Sequence, residues 1–575
     1  MLMKKTLLTL LTLMLLCISF LAACSEKEEK SDRKLENTQL KLPKKAAQTG
    51  GSITVALSRE PEGIFEPAFS TSMEDDDVQA FTTESMYQIT NDLKYVPNLA
   101  TWDISNDKKT YTFHLHKGVK WHNGTELTME DWKFALEVLA NAAYTGPYFE
   151  HVSLIKGAKE YHNGKSNHIE GLRIIDPYTM KITFNDVHTA NLEKLWPVPM
   201  PKKVYQSIPI NRLFNSDPVR RHPIGLGPFK VANMSQEGEV DLEFFPDYWK
   251  GRALLDKVTL KVLDTPSLEG DFKKGAVDLA SIDSASMNQL ERLQNVHVSK
   301  IRGSIYSYIG LRFGHRDNQR DKNVDDLEKF KNKKLREALM YALNRSKMID
   351  DFLDGQARVT NSVLPSTSWL ALEPKELISY EYNPKKAKKL LGEAGYIDRN
   401  GDGFVEDPNG QEFHISFGHY AGSALFESRA KAIIQAWKDI GIRTQLSTGS
   451  LIEFNLYNDM KEKDDPTLEA FIGSWYIGAD LDPLPLWGSN AAWNYGRYKN
   501  EKSDQLLEEG IGEKAFDDAY RKNVYRKWQK LFNEELPILP LWEKTDLFVI
   551  SNRLQHVEIN SLTPFNHVEK WSVTK

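Results

Sequence analysis

The sequence predicts a mixed fold, α/β or α+β, built as two or three packed lobes. Three observations carry that prediction. A chain of 575 residues exceeds what one small core organises. Apolar alternation of period two and apolar stripes of helical spacing occur along the whole body, and no stretch repeats another. The 41% hydrophobic and 27% charged fractions are those of a folded globular chain, which excludes fibrous and wholly disordered classes.

The first element is a leader. Lys4 and Lys5 precede an uncharged apolar run from Thr6 to Ala23, which closes on small residues before Cys24. Ser25 to Gly51 is charged, lacks aromatics and reads as a flexible tether. Ser52 to Leu57 alternates, with Ile53, Val55 and Leu57 on one face of a strand. Tyr111, Phe113 and Leu115 alternate likewise, and His122-Asn123-Gly124 then supplies a turn. Thr128 is placed to cap a helix with Asp131 at its third position, and Trp132, Ala135, Leu136 and Leu139 form the apolar stripe. Beyond residue 330, Leu335, Ala338, Leu339 and Ala342 make a second stripe. Ala387, Leu390, Leu391 and Ala394 make a third, with lysines on its wet side and Gly395 as its stop. Ala430, Ile433, Ile434 and Trp437 make a fourth, ended by Gly441, and Ile442 to Leu446 then reads as a strand.

Charge and cysteine content narrow the function. With 74 basic and 80 acidic residues the net charge is −6, so no basic excess offers itself to nucleic acid. Two cysteines make no disulfide framework. Removal of the leader takes Cys17, Lys4 and Lys5 with it, leaving Cys24 alone and a net charge of −8. Sixty-one aromatic residues are many, and some are expected to line a binding surface rather than a core.

Catalytic motifs are missing. The chain holds no G-x-S-x-G elbow, H-E-x-x-H, P-loop, C-x-x-C or Rossmann glycine fingerprint, so neither catalysis nor a cofactor is expected. His114, His116 and His122 admit a metal site or a solvated strand face near a turn, and the second is expected, so no metal is assigned. Asp398 to Gly403 opens like an EF-hand loop, but Asn409 stands where the bidentate glutamate belongs. Calcium and a plain Asx- and Gly-rich turn both stay open there. The segment Trp475-Tyr476-Ile477-Gly478-Ala479-Asp480-Leu481-Asp482-Pro483 is the most suggestive. A strand-like run from Ala470 delivers Asp480 and Asp482 into a Gly/Pro loop beside Trp475 and Tyr476, where a carboxylate among aromatic walls can hold a ligand ammonium group. A turn cap at Asp482-Pro483 with Trp475 in the core explains the same residues equally.

Several stretches together resemble the extracytoplasmic solute-binding proteins of peptide ABC transporters, the oligopeptide- and dipeptide-binding family. They are Tyr95-Val96-Pro97-Asn98-Leu99-Ala100-Thr101-Trp102, the run Lys109 to Gly124 with Leu127 to Asp131, Pro223-Ile224-Gly225-Leu226-Gly227-Pro228-Phe229, and Asn383 to Leu391. Trp121, Asn123 and Met129 depart mildly from the family signature. Leu21-Ala22-Ala23-Cys24 is similar to the lipobox of bacterial lipoproteins, which implies a diacylglyceryl group on Cys24 and a protein anchored at the outer face of the cell membrane.

The resemblance implies a two-lobe periplasmic-binding-protein-like fold of the large extended type with a hinged cleft. The expected division is 1–23 signal peptide, 24–50 tether, lobe I from 51–79, 206–311 and 541–575, an inserted subdomain at 80–205, and lobe II at 312–540. Crossings are expected near Ile309 to Phe313 and Leu539 to Lys544. Asp480 best matches the aspartate that pairs with a peptide's α-amino group, with Asp482 second. Arg59 to Phe65, including Glu60 and Phe65, and Tyr306 to Tyr308 sit where relatives offer backbone to the ligand. The implied function is capture of oligopeptides by a monomeric, lipid-anchored protein that delivers them to ABC permease subunits and performs no chemistry on them. The competing readings are another solute on the same fold (a nickel chelate, haem or an oligosaccharide), a lipid-anchored hydrolase, and a surface adhesin or chaperone-like lipoprotein.

Overall fold

Two long antiparallel strands, Val296–Leu311 and Ile538–Ser551, form the spine of the molecule. The computed structural model describes residues 48–220, 222–477, 481–560, 562 and 564–574. The leader, Cys24 and the tether as far as residue 47 lie outside the described residues, as does Asp480.

The spine is the centre of an eleven-stranded sheet. On one side follow Leu279–Ile282, Ser52–Leu57, Lys257–Val262, Val240–Phe244 and Phe229–Met234. Ser52–Leu57 runs parallel to both its neighbours, with Val55 opposite Leu260 and Leu279. Its alternation then buries Ile53, Val55 and Leu57 on one face, as the period of two predicts. On the other side lie Ala470–Tyr476, His414–Gly418 and Arg443–Leu446. The last two are parallel, as strands joined through the helix Ala424–Asp439 must be to use a crossover. That helix starts where the Ser423 hydroxyl accepts from Leu425 N, and it buries Ala430, Ile433 and Trp437.

The spine strands change core along their length. Tyr306 to Leu311 and Ile538 to Trp542 belong to the largest apolar cluster, which also takes the stripes around Leu339, Ala387 and Trp437. Ile301, Phe548 and Ile550 belong to a second cluster with Ile53 and Leu260, and Val296, Val298, Leu547 and Val549 to a third. Between the halves the pairing slips, from Arg302 opposite Thr545 to Tyr306 opposite Glu543. A second slip follows at Tyr308 opposite Pro540, a place a strand proline tolerates because it has no N–H to contribute. Gly303 sits in the first slip, where a Cβ would meet Lys544 O at 2.4 Å, so the two backbones approach as closely as only glycine permits.

A separate four-stranded antiparallel sheet, in the order Ala100–Ile104, Thr110–Leu115, Thr179–Thr183, Leu172–Asp176, is covered by the helix Met129–Ala140. Thr128 N donates to Asp131 Oδ2 at 2.9 Å, which fixes the helix start where the sequence placed it. Trp132, Ala135, Leu136 and Leu139 are fully buried, and Trp132 meets Phe113 edge-on at 4.8 Å. A fully buried leucine such as Leu136 or Leu139 contributes about 1.5–3 kcal/mol of transfer free energy.

Candidate functional site

Two cavities meet at Tyr476, the last residue of Ala470–Tyr476 and the partner of Ile305 across the ladder. One, about 490 Å³, opens towards Glu84, Tyr95, Trp196 and Lys250. The other, about 570 Å³, opens towards Met73, Asp77, Asp283 and Lys544 to Phe548. Leu562 and Phe565 line both. Each volume suits a small-molecule site, for which about 300–1,000 Å³ is usual. Large apolar side chains stay open to solvent here: Tyr476 is 55% exposed, Ile305 39% and Met73 74%. Water-exposed apolar groups gathered in a concavity are surface that a ligand can cover. A third cavity, about 330 Å³, lies beside the slip in the spine and is lined by Arg302, Arg358, Lys522 and Glu543 among others. Glu543 accepts from Ser366 N at 2.7 Å; burial pushes its carboxyl up, against the lowering effect of that bond and of the two arginines.

The structure brings some of the expected site residues together and separates others. Tyr476 faces the two cavities, while Trp475 turns the other way and stacks on Tyr495 at 5.8 Å, with Trp493 at 6.3 Å. Asp482 is tucked in: its Oδ1 accepts from Leu484 N at 2.9 Å and its Oδ2 lies 3.5 Å from His188 Nε2, with the side chain 1% exposed. Tyr308 lines neither cavity, because its strand is paired on both sides and the ring is buried edge-on against Trp487. Phe65 also lines neither and belongs to a core. The backbone around it is already engaged: Gly63 N and Ile64 N donate to Asp75, and Phe65 N donates to Val219 O. Glu60 is exposed and packs against Gly238 instead.

The histidines diverge. His114 faces Asp103 at 3.2 Å, His116 packs on Trp249, and His122 bonds to Gly225 and Gly227. The Asp398 turn holds itself together: Asp398 accepts from Gly401 N and Gly403 N, Glu406 from Arg399 N and Asn400, and Arg443 pairs with Asp402. Its carboxylates are engaged by the protein's own donors, the Asx-turn arrangement.

Sequence reading passed over the acidic run Glu74-Asp75-Asp76-Asp77 at the start of the helix Met73–Thr82. Glu74 is bound by Arg59, Ser58 and Ser72, and Asp75 by the Gly63–Ile64 backbone. Asp76 and Asp77 face the larger cavity. Burial, with Glu74 and Asp76 nearby, pushes the Asp77 carboxyl up to about 7. Four acidic residues in succession were the available signal, but charge runs are usually solvated faces and the cavity is made by distant strands.

Residues 94–497 match the family model of bacterial extracellular solute-binding proteins, family 5 Middle. The chain is similar to the oligopeptide-binding protein AppA of Bacillus subtilis (strain 168), at 26% identity over 582 residues, covering 100% of this chain and 99% of that protein. It is also similar to heme-binding protein A of Haemophilus influenzae, at 26% identity over 476 residues, covering 80% of this chain and 81% of that protein. The solved structure of Bacillus subtilis AppA in complex with a nonapeptide superposes with a TM-score of 0.66 at 24% identity, over 92% of this chain and 100% of that one. The fold is thus the mixed α/β, two-lobe kind.

Proposed function

Because the chain belongs to the bacterial extracellular solute-binding proteins of family 5, we propose that it captures oligopeptides in the cleft at Tyr476 and delivers them to an ABC transporter permease. The observation that carries this reading is the pair of cavities beside the point where both spine strands change core. The names of the relatives and of the solved neighbour, which include oligopeptide-binding proteins, support the choice of solute.

In this reading lobe I comprises 51–79, 206–311 and 541–575, the inserted subdomain 80–205, and lobe II 312–540. The slipped pairing at Arg302–Tyr306, a little upstream of residue 311, acts as the hinge, because a strand that has already lost regular pairing bends with little further loss. Asp480 takes the ligand's ammonium group, and Asp482 braces the loop through Leu484 N and His188. Trp475, buttressed by Tyr495, stiffens the strand that presents Tyr476. Peptides share one backbone, so contacts to it combined with roomy side-chain pockets give affinity without reading sequence. The lipid on Cys24 holds the monomer at the outer face of the membrane, and no bond in the ligand is made or broken.

Isothermal titration of the full chain tests this. A mixed-sequence octapeptide is expected to bind with a Kd of about 1 μM or below, and N-acetylation should weaken it at least about tenfold by removing the ammonium group. Heat on adding haem, a nickel chelate or an oligosaccharide, with none on adding peptide, overturns the reading.

A further inference from the structure

The 570 Å³ cavity differs in character from an all-purpose side-chain pocket. Four carboxylates border it, contributed by separate parts of the chain: Asp76 and Asp77 from the helix Met73–Thr82, Asp283 before Ser284–Leu290, and Asp546 on the spine. Lys544 is the single lysine or arginine among the residues that line it. Asp283 accepts from Ser286 N and Asp76 from Ser70 Oγ, both at 2.9 Å. Asp77 has no hydrogen-bond or ion-pair partner among the described residues, although it is half-buried.

A bare carboxylate crowded by others in a partly dry pocket is costly to the empty protein, and an incoming cation relieves that cost. The walls point independently to a ligand group of a particular shape. Met73, Ile305 and Tyr476 leave apolar surface exposed at the cavity, and such surface is covered best by a chain of methylenes ending in charge. The Tyr476 ring also offers a face to a cation.

We propose that this cavity is the specificity pocket of the cleft and selects peptides carrying a lysine or arginine side chain, with Asp77 and Asp76 receiving the charged end and Met73, Ile305 and Tyr476 its stem. The proposal rests on the peptide reading of the cleft and names the peptide class. The cavity at Glu84 differs in how its carboxylates are engaged: Glu84 pairs with Lys250 at 3.3 Å and Glu569 with Lys570 at 4.0 Å.

The test is titration of the full chain with pentapeptides of alanine in which one position, taken in turn, is lysine, arginine, norleucine or glutamate. At one position lysine and arginine are expected to bind about tenfold tighter than norleucine, which has a similar stem and no charge, and glutamate weaker still. In Asp76→Asn, Asp77→Asn the lysine-to-norleucine ratio should fall to within about twofold. N-acetylation of the lysine peptide should leave the ratio intact, which separates a side-chain cation from the amino end. Equal binding of lysine and norleucine at every position of the native protein overturns the proposal, whether or not the variant folds. So does a ratio that survives in the variant or disappears on acetylation. Those results leave peptides bound, whereas failure of the peptide reading leaves none bound.

Discussion

His122 joins the turn that follows Thr110–Leu115 to the segment Pro223–Phe229 by two hydrogen bonds of fixed sense. Gly225 N–H can only donate, so Nδ1 accepts it at 3.1 Å; Nε2 therefore carries the hydrogen and donates to Gly227 O at 3.0 Å. A second proton removes the acceptor at Nδ1. Burial accordingly pushes the imidazole down to about 4, with nearby Lys230 adding slightly to the shift. The folded value lies below the ordinary one of about 6.5, so the unfolded chain takes up the proton first as pH falls. The stability this residue contributes is complete above pH 6.5 and is lost progressively towards pH 4, by about 1–3 kcal/mol. Tm measured across that window should fall with pH, and His122→Asn should flatten this part of the curve. An unchanged slope in the variant contradicts the assignment. The residue's chemistry was visible in the sequence as a histidine near a turn, but its partners lie about a hundred positions away, beyond the reach of local pattern.

Among the elements, those set by neighbours in sequence were legible and those set by distant pairing were not. The Thr128 start of Met129–Ala140 follows from side chains a few residues apart, as Thr128 N donating to Asp131 Oδ2 shows. Tyr306 and Tyr308 were expected near the ligand because the resemblance puts them, close to a crossing, where relatives offer backbone to it. The second pairing partner, Ile538–Ser551, is more than two hundred residues on and closes off that face. The slip around Gly303 likewise has no local signature, since it depends on the approach of the Lys544 carbonyl. Gly303→Ala should cost about 1–3 kcal/mol, because its Cβ meets backbone that cannot swing aside. Chemical denaturation measures this, and an alanine variant of native stability means the strands do not approach so closely.

At the scale of the whole molecule, contacts beyond the spine tie the Thr90–Lys94 turn and His188 to the part of the chain that holds the largest core. The Thr90–Lys94 turn places Leu93 at φ +68, a conformation that costs a leucine about 1–2 kcal/mol, and buries its side chain in that core. Next to it Lys94 pairs with Asp518 at 2.7 Å and lies 4.5 Å over the Trp369 ring. His188 reaches Asp482 from the same side. If the cleft opens as proposed, these contacts are the ones expected to break, and a ligand in the cavities at Tyr476 is expected to act together with them. The cleft could not be seen in the sequence as a volume, but the strand that leads to it could, because Ala470 to Trp475 is a largely apolar run followed by an aromatic and two carboxylates. What was missed, the Asp76–Asp77 side of the larger cavity, lies across the molecule from that strand in sequence, and proximity there is a product of folding. Native mass spectrometry of the purified full chain, before and after mild denaturation, tests peptide capture most directly. A heterogeneous set of peptide masses released on denaturation is the expected result, and release of a single non-peptide solute contradicts the account.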